Sequence, residues 1–240
     1  MTALSIRQLT KRFSDRIILE QIDLDVDSNE FVCLFGASGS GKTTLLNLMA
    51  GLETADAGEI TIESSPGREG RVGYVFQNPR LLPWRTVLEN IVLSLPDGVP
   101  IQEAEALLKR VGLSEYRDQY PERLSLGMSR RVALVRAFAV NPDLLLMDEP
   151  LVSLDAPTAR TIRALILDLW QQRPHTVLYV THDLDEAIEL GDRVVFLSAS
   201  PAKVLYDTLI DIPRGSRTPD AIRAFKAHLV HQHPPLERLI

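Results

Sequence analysis

Cysteine occurs once in the 240 residues, as Cys33, so no internal disulfide can form and a disulfide-stapled scaffold is excluded. Long hydrophobic runs are also missing. The longest uninterrupted apolar stretch runs from Phe31 to Phe35, against the ~18 residues a membrane-spanning helix requires. Basic residues are not in excess: Lys and Arg number 26 against 32 Asp and Glu, a formal net charge of −6. With no segment gathering a basic face, nucleic acid is not an expected partner. Met1 to Thr10 lacks the basic start and apolar core of a secretory signal, and with a lone thiol the expected compartment is a reducing cytosol. Work at a membrane would then need another chain to span it.

What is present is a globular composition, 45% hydrophobic and 24% charged with 13 Gly and 15 Pro. This excludes collagen-like and disordered classes. Area scaling for a chain of this mass puts about 70% of the unfolded surface inside, enough for a sizeable core in one large domain or one domain with subdomains.

Ile22, Leu24 and Val26 alternate with Asp23, Asp25 and Asp27, the period of a strand wet on one face, so the first thirty residues predict an antiparallel sheet. Glu30 to Phe35 then reads as a buried strand, in which Cys33 is expected to act as a small core hydrophobe. A Gly-rich turn follows, and Thr43 to Gly51 reads as a helix. Gly58 to Glu63 and Val72 to Phe76 are short strand candidates. Thr86 to Leu95 and Ile101 to Val111 carry helical spacing, with Ile101, Ala104, Leu108 and Val111 as one apolar stripe. A further helix is expected from Ser129 to Val140, stopped by Asn141-Pro142. Leu144 to Met147 and Thr176 to Val180 are continuous apolar runs of parallel-sheet type, separated by a helix from Ala156 to Gln172. Val194 to Leu197 and Val204 to Ile210 read as closing strands. Thr218-Pro219-Asp220 starts a C-terminal amphipathic helix.

Gly36-Ala-Ser-Gly-Ser-Gly-Lys42-Thr43 fits G-x-x-x-x-G-K-[ST] between a strand and a helix, the context that gives the motif its meaning. Glycines let backbone N–H groups close around phosphate oxygens and the helix start adds positive potential. Lys42 then reaches the β and γ phosphates and the Thr43 hydroxyl ligates Mg²⁺. A purely structural Gly-rich turn is the competing reading. Leu144 to Glu149 is a buried strand ending in two carboxylates, placing Asp148 where open α/β sheets bind ligands, with a water-mediated Mg²⁺ role. Glu149 could orient or deprotonate the attacking water of phosphoryl transfer. Alone, Asp-Glu after a strand is more often a solvated cap.

Together these residues resemble the ATP-binding-cassette ATPases, the nucleotide-binding subunits of transporters, over nearly the whole chain. Walker A stands at 36 to 43, extended by Thr44, and Walker B at 144 to 149. Phe13 matches the aromatic that stacks on adenine, where a lone Phe beside a strand would usually be core. Gln77 matches the Q-loop glutamine that touches Mg²⁺ or the attacking water. His182 in Val180-Thr-His-Asp183 matches the switch histidine at the γ-phosphate, and Leu151 to Asp155 resembles the D-loop, with Asp155 at the interface between copies. The resemblance gives Gly36, Ala37, Ser38, Gly39, Ser40, Gly41, Lys42, Thr43 and Thr44 to the nucleotide. The usual Leu-Ser-Gly-Gly-Gln signature reads Leu124-Ser-Leu-Gly-Met128 here. Ser125 and Gly127 keep the essential donors, and Leu126 is the residue that can retune the loop.

The resemblance implies an α/β fold: a mostly parallel P-loop core sheet, an N-terminal antiparallel β-subdomain, and an α-helical subdomain inserted at about 80 to 140. It places the ATPase domain at 1 to 217 and a helical tail at 218 to 240. It implies ATP and Mg²⁺ as cofactors and a homodimer, or paired cassettes, sandwiching two ATP molecules. It also implies transmembrane permease subunits, a solute-binding protein acting indirectly, and a peripheral position at the cytoplasmic face of the inner membrane. Pro79 to Trp84 is similar to subunits of importers for nitrate, sulfonate, taurine and related anions; packing of Leu82 and Trp84 on the helical region is the other reading. An exporter ATPase, a DNA- or ribosome-acting ATPase and a non-hydrolysing scaffold are the rival functions. His228, His231 and His233 lack accompanying Cys or carboxylates and read as a solvated helix end.

Overall fold

The computed structural model describes residues 2–63 and 70–238. In chain order the strands and helices begin with β1 (Thr2–Phe13), β2 (Arg16–Asp27), β3 (Phe31–Phe35), α1 (Lys42–Met49), β4 (Ala57–Ile62) and β5 (Val72–Val75). Then come α2 (Val87–Val92), α3 (Ile101–Arg110), α4 (Leu126–Ala139), β6 (Leu144–Asp148) and α5 (Ala156–Gln172). The chain finishes with β7 (Thr176–Thr181), α6 (Leu184–Leu190), β8 (Arg193–Leu197), β9 (Val204–Leu209) and α7 (Pro219–Gln232). Two compact units result, one made of residues 1–61 with 177–240 and the other of residues 62–176.

In the first unit β1 runs antiparallel to β2 and sits between β2 and β4. Ile22, Leu24 and Val26 are buried while the intervening aspartates face water, as the alternation predicts. β3 is buried at all five positions because it lies between β7 and β8, parallel to both. β9 closes that sheet antiparallel to β8. Cys33 is free and buried, and burial pushes its thiol well above its ordinary range. α7 starts where Thr218 accepts the Ala221 N–H at 3.3 Å, with Pro219 in its first turn. It buries Ile222, Phe225 and Leu229. His228 and His231 are exposed, and the His233 ring lies 3.8 Å from that of Tyr206.

The second unit pairs β5 with β6 in parallel and packs α2, α3 and α4 together, so the expected helical region around 80 to 140 falls inside it. Several expectations shift. α2 is shorter than Thr86 to Leu95, because a capping box between Thr86 and Glu89 starts it and the chain turns after Val92. Ile101 is 41% exposed, which leaves Ala104, Leu108 and Val111 as the buried stripe of α3. α4 begins at Leu126 rather than Ser129, since the Ser125 hydroxyl accepts the Met128 N–H at 3.2 Å and caps the helix. Trp84 does not pack on the helices and is 69% exposed. Asn90 and Arg136 hold the backbone of the 79–86 segment through carbonyls of Pro79, Arg80, Leu82, Arg85 and Thr86. Trp84 is thereby left outside.

Candidate nucleotide site

The first unit carries the phosphate loop. Residues 36 to 41 leave the end of β3 and enter α1, with Gly39 at φ +76° and Gly41 at φ +96°, backbone that only glycine adopts without strain. At Gly36 a Cβ would sit 3.1 Å from Ser40 Oγ and 3.2 Å from the Leu197 carbonyl oxygen. Lys42 is buried and its ammonium donates to the carbonyls of Gly36 at 2.7 Å and Ala37 at 2.8 Å. Ala37, Ser38 and Gly39 face solvent, as does Thr43 at the start of α1; Thr44 is half-buried and Ser40 buried. A buried lysine inside a turn with an exposed backbone rim is a cradle built for a polyanion.

His182 stands at the same end of the sheet. Thr181 pairs in parallel register with Phe35, so the phosphate loop and the exposed His182 emerge side by side from neighbouring strands. The chain there is fixed from below. Tyr179 and Thr181 both donate to the buried Glu186 carboxylate, and Asp183 caps α6 by accepting the Asp185 N–H at 2.9 Å. Phe13 ends β1 with 46% of its surface exposed and the Lys11 ammonium 4.8 Å from its ring centroid. It is a half-exposed aromatic at the strand end, with the Lys11 ammonium over its ring, rather than a core residue.

The second unit carries the carboxylates. Asp148 is the last residue of β6, is buried, and is followed by Glu149 at φ +42°, a left-handed backbone that costs a side-chain-bearing residue free energy. β5 and β6 run in register with Val75 opposite Met147, so the exposed Gln77 leaves the same end of this pair as Asp148 and Glu149. Tyr74 stacks on Phe76 with centroids 3.9 Å apart; burial first, then the Asp148 charge, pushes its phenol above the ordinary range. Ser125, exposed, begins α4 as its cap. Leu126 is 46% exposed, and a Cβ on Gly127 would come within 3.0 Å of Thr158 Cγ2. Asp155 caps α5, and the Thr158 hydroxyl and N–H hold its carboxyl below the usual range.

Sequence reasoning missed α6, Glu186 and Arg130. Asp183 followed three residues later by Glu186 is a helix-start signature that would have marked α6. No sequence signal marks Arg130, a charged residue that the fold buries against backbone carbonyls.

Mg²⁺ takes hard oxygen donors, and each unit offers one by itself: the Thr43 hydroxyl in the first and the Asp148 carboxylate in the second. Among the described residues no group of three or more His, Cys, Asp or Glu side chains forms a metal cluster, so protein carboxylates alone make no metal cage. Among the described residues no helix is long and apolar enough to cross a membrane.

Comparison with known proteins agrees with these features. The ABC transporter family matches residues 19–152. The aliphatic sulfonates import ATP-binding protein SsuB of Cupriavidus pinatubonensis is 43% identical over 97% of this chain and 79% of the relative. SsuB 1 of Pseudomonas fluorescens is 41% identical over 95% of this chain and 85% of the relative. Among solved structures, the dimeric bacterial ABC transporter cassette MJ0796 is 28% identical over 88% of this chain and 100% of its own, with a TM-score of 0.76. The same cassette in a post-hydrolysis dimeric state bound to ADP and Pi gives 0.75. The chain belongs to the ABC transporter family, as one of its ATP-binding and ATP-hydrolysing cassettes.

Proposed function

We propose that this cassette powers import of a small organic anion, of the aliphatic sulfonate class, through a separate membrane permease at the cytoplasmic face of the inner membrane. The nucleotide chemistry is supported by one observation above the rest: Lys42 is buried in a glycine turn beside the emerging His182. The solute class is supported by relatives named for aliphatic sulfonate import at 41% and 43% identity over nearly the full chain.

In this reading Phe13 stacks on adenine, the 36–44 loop and Lys42 take the phosphates, and Thr43, Gln77 and Asp148 hold Mg²⁺. The ion would neutralise charge on the β and γ oxygens. Glu149 orients and deprotonates the attacking water, and His182 contacts the γ-phosphate. Two copies act together: Ser125 and Gly127 of one close on the nucleotide of the other, and Asp155 faces the partner. The dimeric state of the solved relatives supports this. The unit of residues 62–176 is then the part that presents the signature segment. A domain of residues 1 to 217 carries the ATPase, and the tail from 218 packs on it through α7.

The test is to purify the tagged chain from gently solubilised membranes and identify its companions. A multi-span permease together with a sulfonate-binding protein is the expected result. Ribosomal or DNA-repair companions, or none in the membrane fraction, would remove the transport reading.

A further inference from the structure

Arg130 lies in the second turn of α4, five residues after Ser125, and is only 5% exposed. One Nη donates to the Pro150 carbonyl and lies 3.5 Å from that of Glu149, while the other donates to the Val152 carbonyl at 2.6 Å. Three carbonyls of one turn therefore converge on a single fork. The turn they belong to is the unusual one: Glu149 sits at φ +42° and Ser153 at φ +63°, and Pro150 contributes no N–H. Its internal hydrogen bonds are long, Val152 N–H to Glu149 at 3.2 Å and Leu154 N–H to Leu151 at 3.3 Å. Such backbone persists only where surrounding structure over-determines it, and a planar arginine fork supplies several donors in fixed geometry where a lysine supplies a point charge. The neighbouring helix start is locked into the same cluster, because Gly127 packs against Thr158 and Asp155 caps α5 through Thr158.

We propose that Arg130 is a positioning residue for hydrolysis, the strut that makes the signature segment and the Glu149 turn move as one body. It rests on the two-copy reading given above, in which Ser125 serves the partner's nucleotide and Glu149 its own. A displacement of Ser125 by one nucleotide then reaches the carboxylate beside the other, so the two sites fire cooperatively. In this role Arg130 acts through the backbone carbonyls it holds and not on the nucleotide itself.

The test compares Arg130→Gln and Arg130→Lys with the unaltered full chain, reading ATP affinity by fluorescent-nucleotide titration, steady-state kcat and the Hill coefficient for ATP. Arg130→Gln is expected to bind ATP within about twofold of the unaltered chain, to lose about tenfold in kcat, and to drop the Hill coefficient from near 2 toward 1. Arg130→Lys keeps the charge but gathers its donors on a single ammonium in place of the fork, is the milder change for folding, and is expected to fall between. The proposal is overturned if both variants keep the unaltered kcat and Hill coefficient. It is equally overturned if kcat falls in step with the folded fraction while cooperativity stays put, because that is a purely structural role. An unaltered chain with a Hill coefficient of 1 and a specific rate independent of concentration would take away the two-copy reading itself, and the strut with it.

Discussion

The Thr181 hydroxyl donates to the buried Glu186 carboxylate and in turn accepts the Asp183 N–H at 3.0 Å. His182 is thus bracketed by two residues tied into one network, which Tyr179 completes from within the strand. The histidine is exposed, but the backbone that presents it is not free to move. Glu186→Ala would leave two buried hydroxyls without their acceptor, a loss of about 2–4 kcal/mol in stability at about 1–2 per group. Glu186→Gln keeps the shape and one acceptor oxygen and should cost less. Denaturant unfolding reads the stability, and ATP turnover of the folded fraction is expected to fall with it because His182 loses its support. Unchanged turnover in a destabilised Glu186→Ala protein would show that His182 needs no such bracing.

Lys42 and Glu149 separate binding from chemistry. Lys42 contributes the buried positive charge of the phosphate loop, so Lys42→Ala should weaken ATP binding by about a hundredfold, the effect of losing a charge-assisted contact worth ~3 kcal/mol. Glu149→Gln keeps side-chain size at the strained φ of +42° and should leave ATP affinity intact while turnover falls about a hundredfold or more. Nucleotide titration and phosphate release measure the two effects on the same samples. Turnover of Glu149→Gln at the unaltered rate would mean that another group is the base.

Much of this was legible in the chain because the signals were local. Alternating Ile22, Leu24 and Val26 required a half-wet strand, the continuous run Leu144 to Met147 a strand covered on both faces, and Gly36 to Thr43 a phosphate turn between strand and helix. Each of these depends on a few neighbouring residues. The start of α4 lies earlier than the sequence suggests because Gly127 interrupts the helix signal of its neighbours, and the Ser125 cap draws the segment into the helix. Ile101 fits the apolar period yet faces water, since periodicity does not say where a helix stops being covered. Arg130 and Glu186 were illegible for a different reason. Their partners lie on carbonyls and hydroxyls that only the folded chain assembles.

Leu126 and Gly127 should behave oppositely although they are neighbours in the signature segment. Leu126 is 46% exposed at the first position of α4, so Leu126→Gly removes only part of a side chain's packing and costs at most about 1 kcal/mol of helix propensity. ATP turnover is expected to change by less than about fivefold, in either direction, as the loop is retuned. Gly127→Ala places a methyl 3.0 Å from Thr158 Cγ2, and Thr158, whose side chain also holds Asp155, must give by a few tenths of an ångström to admit it. Turnover is expected to fall about tenfold or more while fluorescent-nucleotide affinity holds, because a shift of this size at a distant contact disturbs a positioned donor. Equal turnover losses in the two variants would mean that packing against α5 does not set the position of Ser125.

His175 should make stability pH-dependent on the acid side. It is 6% exposed, its ring is 5.9 Å from that of Phe138, and its carbonyl accepts the Trp170 indole N–H at 2.8 Å. Burial, and then the positive charge of Arg173, hold its pKa below the ordinary 6.5, with a hydrogen bond to Pro142 and the Asp143 charge opposing. The folded state thus favours the neutral ring. As pH falls below the ordinary value, the unfolded chain takes up a proton that the folded chain refuses. This contribution to stability is therefore complete above about 6.5 and shrinks as pH drops toward the lower folded value. Melting temperatures of the unaltered chain and of His175→Gln, measured from about pH 8 to about pH 5.5, should differ most at the alkaline end and converge toward the acid end. A gap that stays constant across that range would place the titrating group elsewhere, and a gap that widens toward acid would mean that the folded state stabilises the charged imidazole.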